Sequence, residues 1–345
     1  MTKAVTKKTI YIAYTGGTIG MQPTTQGFNP FPGFLAKQMA ELPAINHEKM
    51  PNYVLNEYSP LIDSANATPQ DWVNIAKDIL ENYDQYDGFV ILHGTDTMAY
   101  TASALSFLLP NLDKPVIITG SQIPIGQIRN DAACNIIDAL LIANHHPIPE
   151  VCLYFNNYLL RGNRSQKTYA DRLNAFRSPN FPPLAEIGIE IKIREHLILP
   201  PSTPEIQLPA WQDAKIAAFR LFPGFSMTIL EHVLAQDING IILESYGTGN
   251  APNQNLSFLK ALQQANNRGV VIVNCTQCLQ GAVKMQNYST GHALLDAGVI
   301  SGHDMTPEAA LTKLSWLFSC HQDITLIKNK MTENLRGELT AEKAI

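Results

Sequence analysis

The amino-acid sequence predicts an α/β fold in two domains, built mainly on parallel sheets flanked by helices. Three observations carry this reading: short apolar runs without polar alternation, helix-period segments between them, and one proline-rich break. Strands buried on both faces read as continuous apolar runs, the pattern of parallel sheets. Their alternation with helical segments marks an α/β arrangement.

The elements follow in chain order. "TIYIAY" (9–14) runs into Thr15-Gly16-Gly17-Thr18. Residues 69–83 put Trp72, Ile75, Ala76, Ile79, Leu80 and Tyr83 on one helical face. Thr68 suits the cap of that helix, Pro69 its first turn and Asp71 its positive end. "GFVIL" (88–92) runs into His93-Gly94-Thr95-Asp96-Thr97, and a helix is expected over 98–109. "PVIIT" (115–119) ends in Gly120-Ser121-Gln122, a helix is expected over 130–143, and "VCLYF" (151–155) ends in Asn156-Asn157. Later, "GIIL" (240–243) precedes "ESYGTGN", and "GVVIV" (269–273) precedes "NCTQC". Thr306-Pro307-Glu308 opens another helix, to about Ser319. Four prolines in "LILPPSTPEIQLPAWQ" argue for an extended linker at 197–212. The expected domains are therefore 1–196 and 213–345.

Bulk composition excludes several function classes. With 345 residues, 45% apolar and 16% charged, the chain is globular rather than disordered. A net charge of −5 offers no basic face, so nucleic acid is not an expected partner. No apolar run reaches the ~20 residues of a membrane span, and no membrane association is expected. The N-terminus lacks the long apolar region of a signal peptide. Five scattered cysteines without an export signal fit reduced thiols and a cytoplasmic location.

Ligands on parallel sheets sit beyond the carboxyl ends of the strands, where the Thr/Gly/Ser/Asp clusters fall. "TGGTIG" is neither a dinucleotide fingerprint nor a phosphate loop with its Lys-Ser/Thr pair. On pattern alone it reads as a turn somewhat more readily than as a site. Two hydroxyl-rich strand ends in one sheet can converge on a crevice, beside helix N-termini that offer N–H groups to an oxyanion. A hydroxyl nucleophile also needs a base. His93 and Lys167 are both candidates, and the residues alone leave the choice open. Cys275-x-x-Cys278 lacks a second cysteine pair and reads as structural thiols at a strand end. Neither a metal nor a cofactor is expected.

Taken together, "YIAYTGGTIGMQ", "YDGFVILHGTDTMAYTASALSF", "KPVIITGSQIP", "RGNRSQK", "SYGTGNAP", "DMTPEAALTKL" and "NLRGEL" resemble the bacterial L-asparaginases, most closely the type I (cytoplasmic) enzymes. The resemblance runs in order over nearly the whole chain and is weakest at about 185–215. It implies a larger N-terminal catalytic domain and a smaller C-terminal one. It also implies a homodimer or homotetramer, with a site completed across a subunit contact. The substrate implied is L-asparagine, hydrolysed to aspartate and ammonia.

Residue by residue, the resemblance makes Thr18 the nucleophile and Thr15 supporting structure. Thr95, Asp96 and Lys167 match the family's Thr-Asp-Lys set, with Asp96 also holding the substrate ammonium. Asp63 and Ser64 match the loop that grips the α-amino and α-carboxylate groups. To accept a proton, Lys167 must first be neutral, which burial favours and Asp96 opposes.

Two departures qualify the match. Phe28 stands where the family usually carries a lid tyrosine, which implies lower turnover or another route for the Thr18 proton. Glu244 and Gln166 stand at the arginine and threonine of a regulatory asparagine site, while Cys278 matches. A carboxylate in place of a carboxylate-binding arginine reverses the local field, so weak or absent activation by asparagine is expected. Two alternatives stay open. One is an asparaginase-like amidotransferase subunit, which would call for a further N-terminal domain. The other is a non-catalytic amino-acid-binding protein.

Overall fold

A computed structural model describes residues 7–25, 27–201, 207–287 and 289–340. The chain separates into two units, with the division between Leu208 and Pro209. Residues 202–206 of the expected linker lie outside the described residues.

The first unit carries strands β1 (Thr9–Gly16), β2 (Met21–Thr24), β3 (Gly27–Pro30), β4 (Asn52–Ile62), β5 (Gly88–Leu92) and β6 (Val116–Thr119). These are followed by β7 (Val151–Phe155), β8 (Tyr158–Arg161), β9 (Gln166–Lys167), β10 (Phe176–Arg177), β11 (Ala185–Ile187) and β12 (Ile191–Ile193). Eight of them form one sheet in the order β12-β11-β8-β7-β6-β5-β1-β4. The span from β4 to β7 is parallel. From β8 outward the pairing is antiparallel. The cause is local. Asn156 and Asn157 both take positive φ, 44° and 72°, and close a two-residue hairpin from β7 to β8. Strand β4 escapes the apolar-run criterion because it is an edge strand, buried on neither face throughout.

Helices α1 (Phe34–Glu41), α2 (Pro69–Glu81), α3 (Met98–Leu108) and α4 (Ala132–His145) accompany the sheet. The expected 69–83 helix stops at Glu81, and Tyr83 begins a separate 3-10 turn. Its ring is still buried, and its hydroxyl donates to Asp113 Oδ1 at 2.6 Å. At the other end, the Asp71 carboxylate accepts from both the Thr68 N–H and the Thr68 hydroxyl, at 2.7 and 2.8 Å. Ile10, Ile12, Val90 and Leu92 from the sheet form one core with Ile136 and Leu140 of α4.

The second unit has a four-stranded parallel sheet, β13 (Ile216–Arg220), β14 (Gly240–Ser245), β15 (Val271–Thr276) and β16 (Ile300–Ser301), in that order. Around it lie α5 (Met227–Ala235), α6 (Leu256–Asn267), α7 (Ser289–Asp296), α8 (Pro307–Cys320) and α9 (Ile324–Thr332). Alternation along β14 and β15 serves two cores. Leu243 and Ile272 pack with Leu230 and Phe258 on one face, and Ile242 and Val273 pack with Leu314 and Leu317 on the other. Among the described residues, no helix is long and apolar enough to cross a membrane.

Candidate active site

The carboxyl ends of β1, β4 and β5 meet at one corner of the first sheet. β1 lies between the other two, and Gly16 pairs with Ile62 at its end. Glycine is required here for two reasons. Gly16 and Gly17 have φ of +134° and +87°, outside the range of ordinary side chains. A Cβ on Gly16 would overlap the Ile62 backbone, and one on Gly17 would overlap the Gly94 backbone. A Cβ on Gly94 would in turn strike the Ser64 side chain. The 15–18 turn thus packs backbone against backbone on Ile62 and on the 93–97 loop, and the Ser64 side chain lies against Gly94.

Side-chain bonds lock this corner. The buried Thr15 hydroxyl donates to Leu92 O at 3.0 Å, tying β1 to β5. The Thr97 hydroxyl donates to Ser64 O at 2.8 Å, tying the start of α3 to the 63–64 loop. Thr18 opens a 3-10 turn over Thr18–Gly20 directly beyond the two glycines and is half-buried. Asp63 is exposed and caps the next 3-10 turn, its carboxylate accepting from the Ala65 N–H at 3.1 Å.

Lys167 is brought to Thr95 and Asp96 from far along the chain. It sits on β9, held by antiparallel pairing with Phe176 of β10. Its Nζ donates to Thr95 Oγ1 at 2.9 Å and to Asp96 Oδ1 at 2.7 Å. Thr95 is buried, whereas the Asp96 side chain is 63% exposed and the Lys167 side chain 20%. The carboxylate therefore keeps acceptor capacity for a second cation.

His93 does not share this role. Its Nδ1 lies 2.7 Å from Gly94 O, so Nδ1 carries the proton and donates. Its Nε2 is then an acceptor for the Thr101 hydroxyl at 3.1 Å. Burial pushes the ring toward the neutral form. With both nitrogens engaged inside the fold, His93 holds the Gly94 turn and is removed as a candidate base.

Gln122, at the end of β6, is a site residue that the sequence reading passed over. Its Oε1 accepts from the Thr95 hydroxyl at 3.1 Å. Its Nε2 donates to Ala170 O and Arg172 O, both at 3.2 Å. The Asp131 carboxylate fixes its backbone by accepting from the Gln122 N–H at 3.1 and 3.0 Å. "GSQ" after an apolar run is the signal that marks this strand end, but nothing in it distinguishes Gln122 from a loop residue.

In the second unit, Glu244, one residue before the end of β14, pairs with Arg220, whose Nη1 lies 3.3 Å from Glu244 Oε2. Cys275 is buried, which pushes its thiol up to about 12, and Cys278 is exposed. Both thiols are free. Among the described residues, no group of three or more His, Cys, Asp or Glu side chains is placed to hold a metal.

Comparison with known proteins places this geometry. Residues 9–199 match the family model "Asparaginase, N-terminal", and residues 215–331 match "Glutaminase/Asparaginase C-terminal domain". L-asparaginase 1 of Escherichia coli is 52% identical over 336 residues, covering 97% of this chain and 99% of that protein. The crystal structure of L-asparaginase I from Vibrio cholerae superposes with a TM-score of 0.90 at 50% identity, over 97% of this chain and 100% of that one. The thermostable L-asparaginase from Thermococcus kodakarensis gives a TM-score of 0.85 at 34% identity, over the same shares.

Proposed function

The chain belongs to the asparaginase family, and from that premise we propose that it hydrolyses L-asparagine to L-aspartate and ammonia through an acyl group carried on Thr18. The observation that carries the reading is the convergence of Lys167, Thr95 and Asp96 at the corner where Gly17 meets Gly94.

In this reading the Thr18 hydroxyl attacks the side-chain amide carbon. Its proton leaves through the Thr95–Lys167 pair, the amide nitrogen departs as ammonia, and water releases aspartate. Asp63 and Asp96 hold the substrate ammonium, and Ser64 holds its carboxylate. A threonine alone is too weak an acid to do this. A positioned base contributes ~10²–10⁴-fold, about 3–5 kcal/mol. Oxyanion donors add roughly 3–4 kcal/mol. Fixing the amide against the nucleophile contributes about 7–11 kcal/mol. The two charged anchors therefore supply the largest share by removing the freedom of a small substrate. The same reading has the enzyme assemble as two or four copies and work in the cytoplasm without a cofactor.

Ammonia release from asparagine, glutamine and D-asparagine, measured beside a Thr18→Ala variant, tests this. The expected result is release from L-asparagine that falls at least ~10³-fold in the variant, as loss of a nucleophile does. An unchanged rate in Thr18→Ala would remove Thr18 from the chemistry.

A further inference from the structure

We propose that Asn130 is a positioning residue that aims the Thr18 side chain, acting through the backbone of Ile125. The inference rests on the function proposed above and adds a residue to it.

A turn entered through two glycines needs a second hold. The packing of Gly17 on Gly94 fixes where the 15–18 turn sits. It does not fix where Thr18 points, because glycine dihedrals carry no side-chain restraint. The second hold lies just past Thr18, where the Ile19 carbonyl accepts from the Ile125 N–H at 3.0 Å. Both isoleucine side chains are buried in the core of the first unit. Thr18 is thus held on either side, at Gly17 and at Ile19.

Ile125 lies on the loop 120–131 between β6 and α4. Asn130 sets the shape of that loop. Its Nδ2 donates to Ile125 O at 3.1 Å and to Gln127 O at 2.9 Å. Its Oδ1 accepts from the Ala133 N–H, in the first turn of α4, at 3.3 Å. One side chain therefore ties the Ile125 residue to a helix that packs in the core. Gln122, three residues before Ile125, lies 3.1 Å from Thr95 Oγ1, so the same loop also reaches the other side of the site.

The consequence is geometric. Attack needs the reacting atoms about 3–3.5 Å apart and aligned, and a misplacement of about 1 Å costs ~10²-fold. Without the Asn130 donation the Ile125 carbonyl turns freely, its N–H leaves Ile19, and Thr18 swings about Gly17. The substrate anchors do not share this hold, since Ser64 O is tied to the Thr97 hydroxyl. Loss of the hold therefore slows attack and spares binding.

The test pairs two readouts. Single-turnover ammonia release from L-asparagine, with enzyme in excess, reads the acyl-forming step. Inhibition by L-aspartate reads the anchors. Asn130→Asp keeps the Oδ1 bond to α4 and removes both donations. It is expected to slow release about tenfold, while the aspartate inhibition constant stays within about threefold and the melting temperature stays near wild type. Asn130→Ala replaces it if it does not fold. An ester in place of the amide linking Pro124 to Ile125 removes only the Ile125 N–H. That ester should slow release by a similar factor in the wild-type background and by less than about twofold in Asn130→Asp. An unchanged release rate in the folded variant, an equal loss in aspartate inhibition, or full additivity with the ester would each overturn the proposal. Wild-type protein that releases no ammonia would instead overturn the function on which it rests.

Discussion

The two units each contain a lysine–carboxylate pair of nearly equal length in opposite surroundings. Lys167 and Asp96 meet at 2.7 Å with side chains 20% and 63% exposed. Lys313 and Glu338 meet at 2.6 Å with both side chains fully buried. The buried pair is saturated. Lys313 Nζ also donates to Met331 O and Glu333 O, and Glu338 accepts from the Leu335 and Arg336 N–H groups. Burial pulls the Lys313 ammonium below the ordinary lysine range, and Glu338 pushes back. The open pair is unsaturated, with a carboxylate face left for a ligand. The same contact thus closes a fold in one unit and leaves an accessible corner in the other, and what decides is access rather than distance.

Mutation of each lysine should separate the two roles. Lys167→Met is expected to lower kcat by ~10²–10⁴-fold, the worth of a positioned proton carrier. Its unfolding free energy should change by less than about 1 kcal/mol, as for other exposed pairs. Steady-state kinetics and urea unfolding on one preparation read both. Lys313→Met is expected to do the reverse. It strands a buried Glu338 and should cost about 3–5 kcal/mol of stability, while the folded fraction turns over asparagine at the wild-type rate. A kinetic defect in folded Lys313→Met, or a stability defect in Lys167→Met, would erase the distinction.

A smaller effect is expected at position 28. Phe28 lies on β3 and is 48% exposed, an aromatic ring without a hydroxyl. Phe28→Tyr should raise kcat a few-fold if a lid hydroxyl assists the Thr18 proton. An unchanged kcat would assign the ring to covering the site alone.

The sequence makes some of this legible and hides the rest for identifiable reasons. Central strands such as Gly88–Leu92 are readable because burial on both faces demands an unbroken apolar run. β4 is hidden because half-exposed polar residues break that run. The β7–β8 hairpin is written in Asn156-Asn157, a turn signal that a parallel-sheet reading takes for a strand end. At the candidate site, the motifs mark two hydroxyl-rich strand ends, and it is the family resemblance that singles out Thr18, Thr95 and Asp96 within them. The choice between His93 and Lys167 depends on which way an imidazole faces, and only coordinates give that. Gln122 is hidden for the same reason, since its significance lies in three acceptor and donor partners from distant segments.

The account rests most heavily on a covalent bond to Thr18. Rapid acid quenching of the enzyme during turnover of L-asparagine, followed by proteolysis and mass spectrometry, reads that bond directly. The expected result is the mass of one aspartyl group on the peptide containing Thr18, absent from Thr18→Ala. An aspartyl group found on Thr95 instead, with none on Thr18 at any quench time, would contradict it.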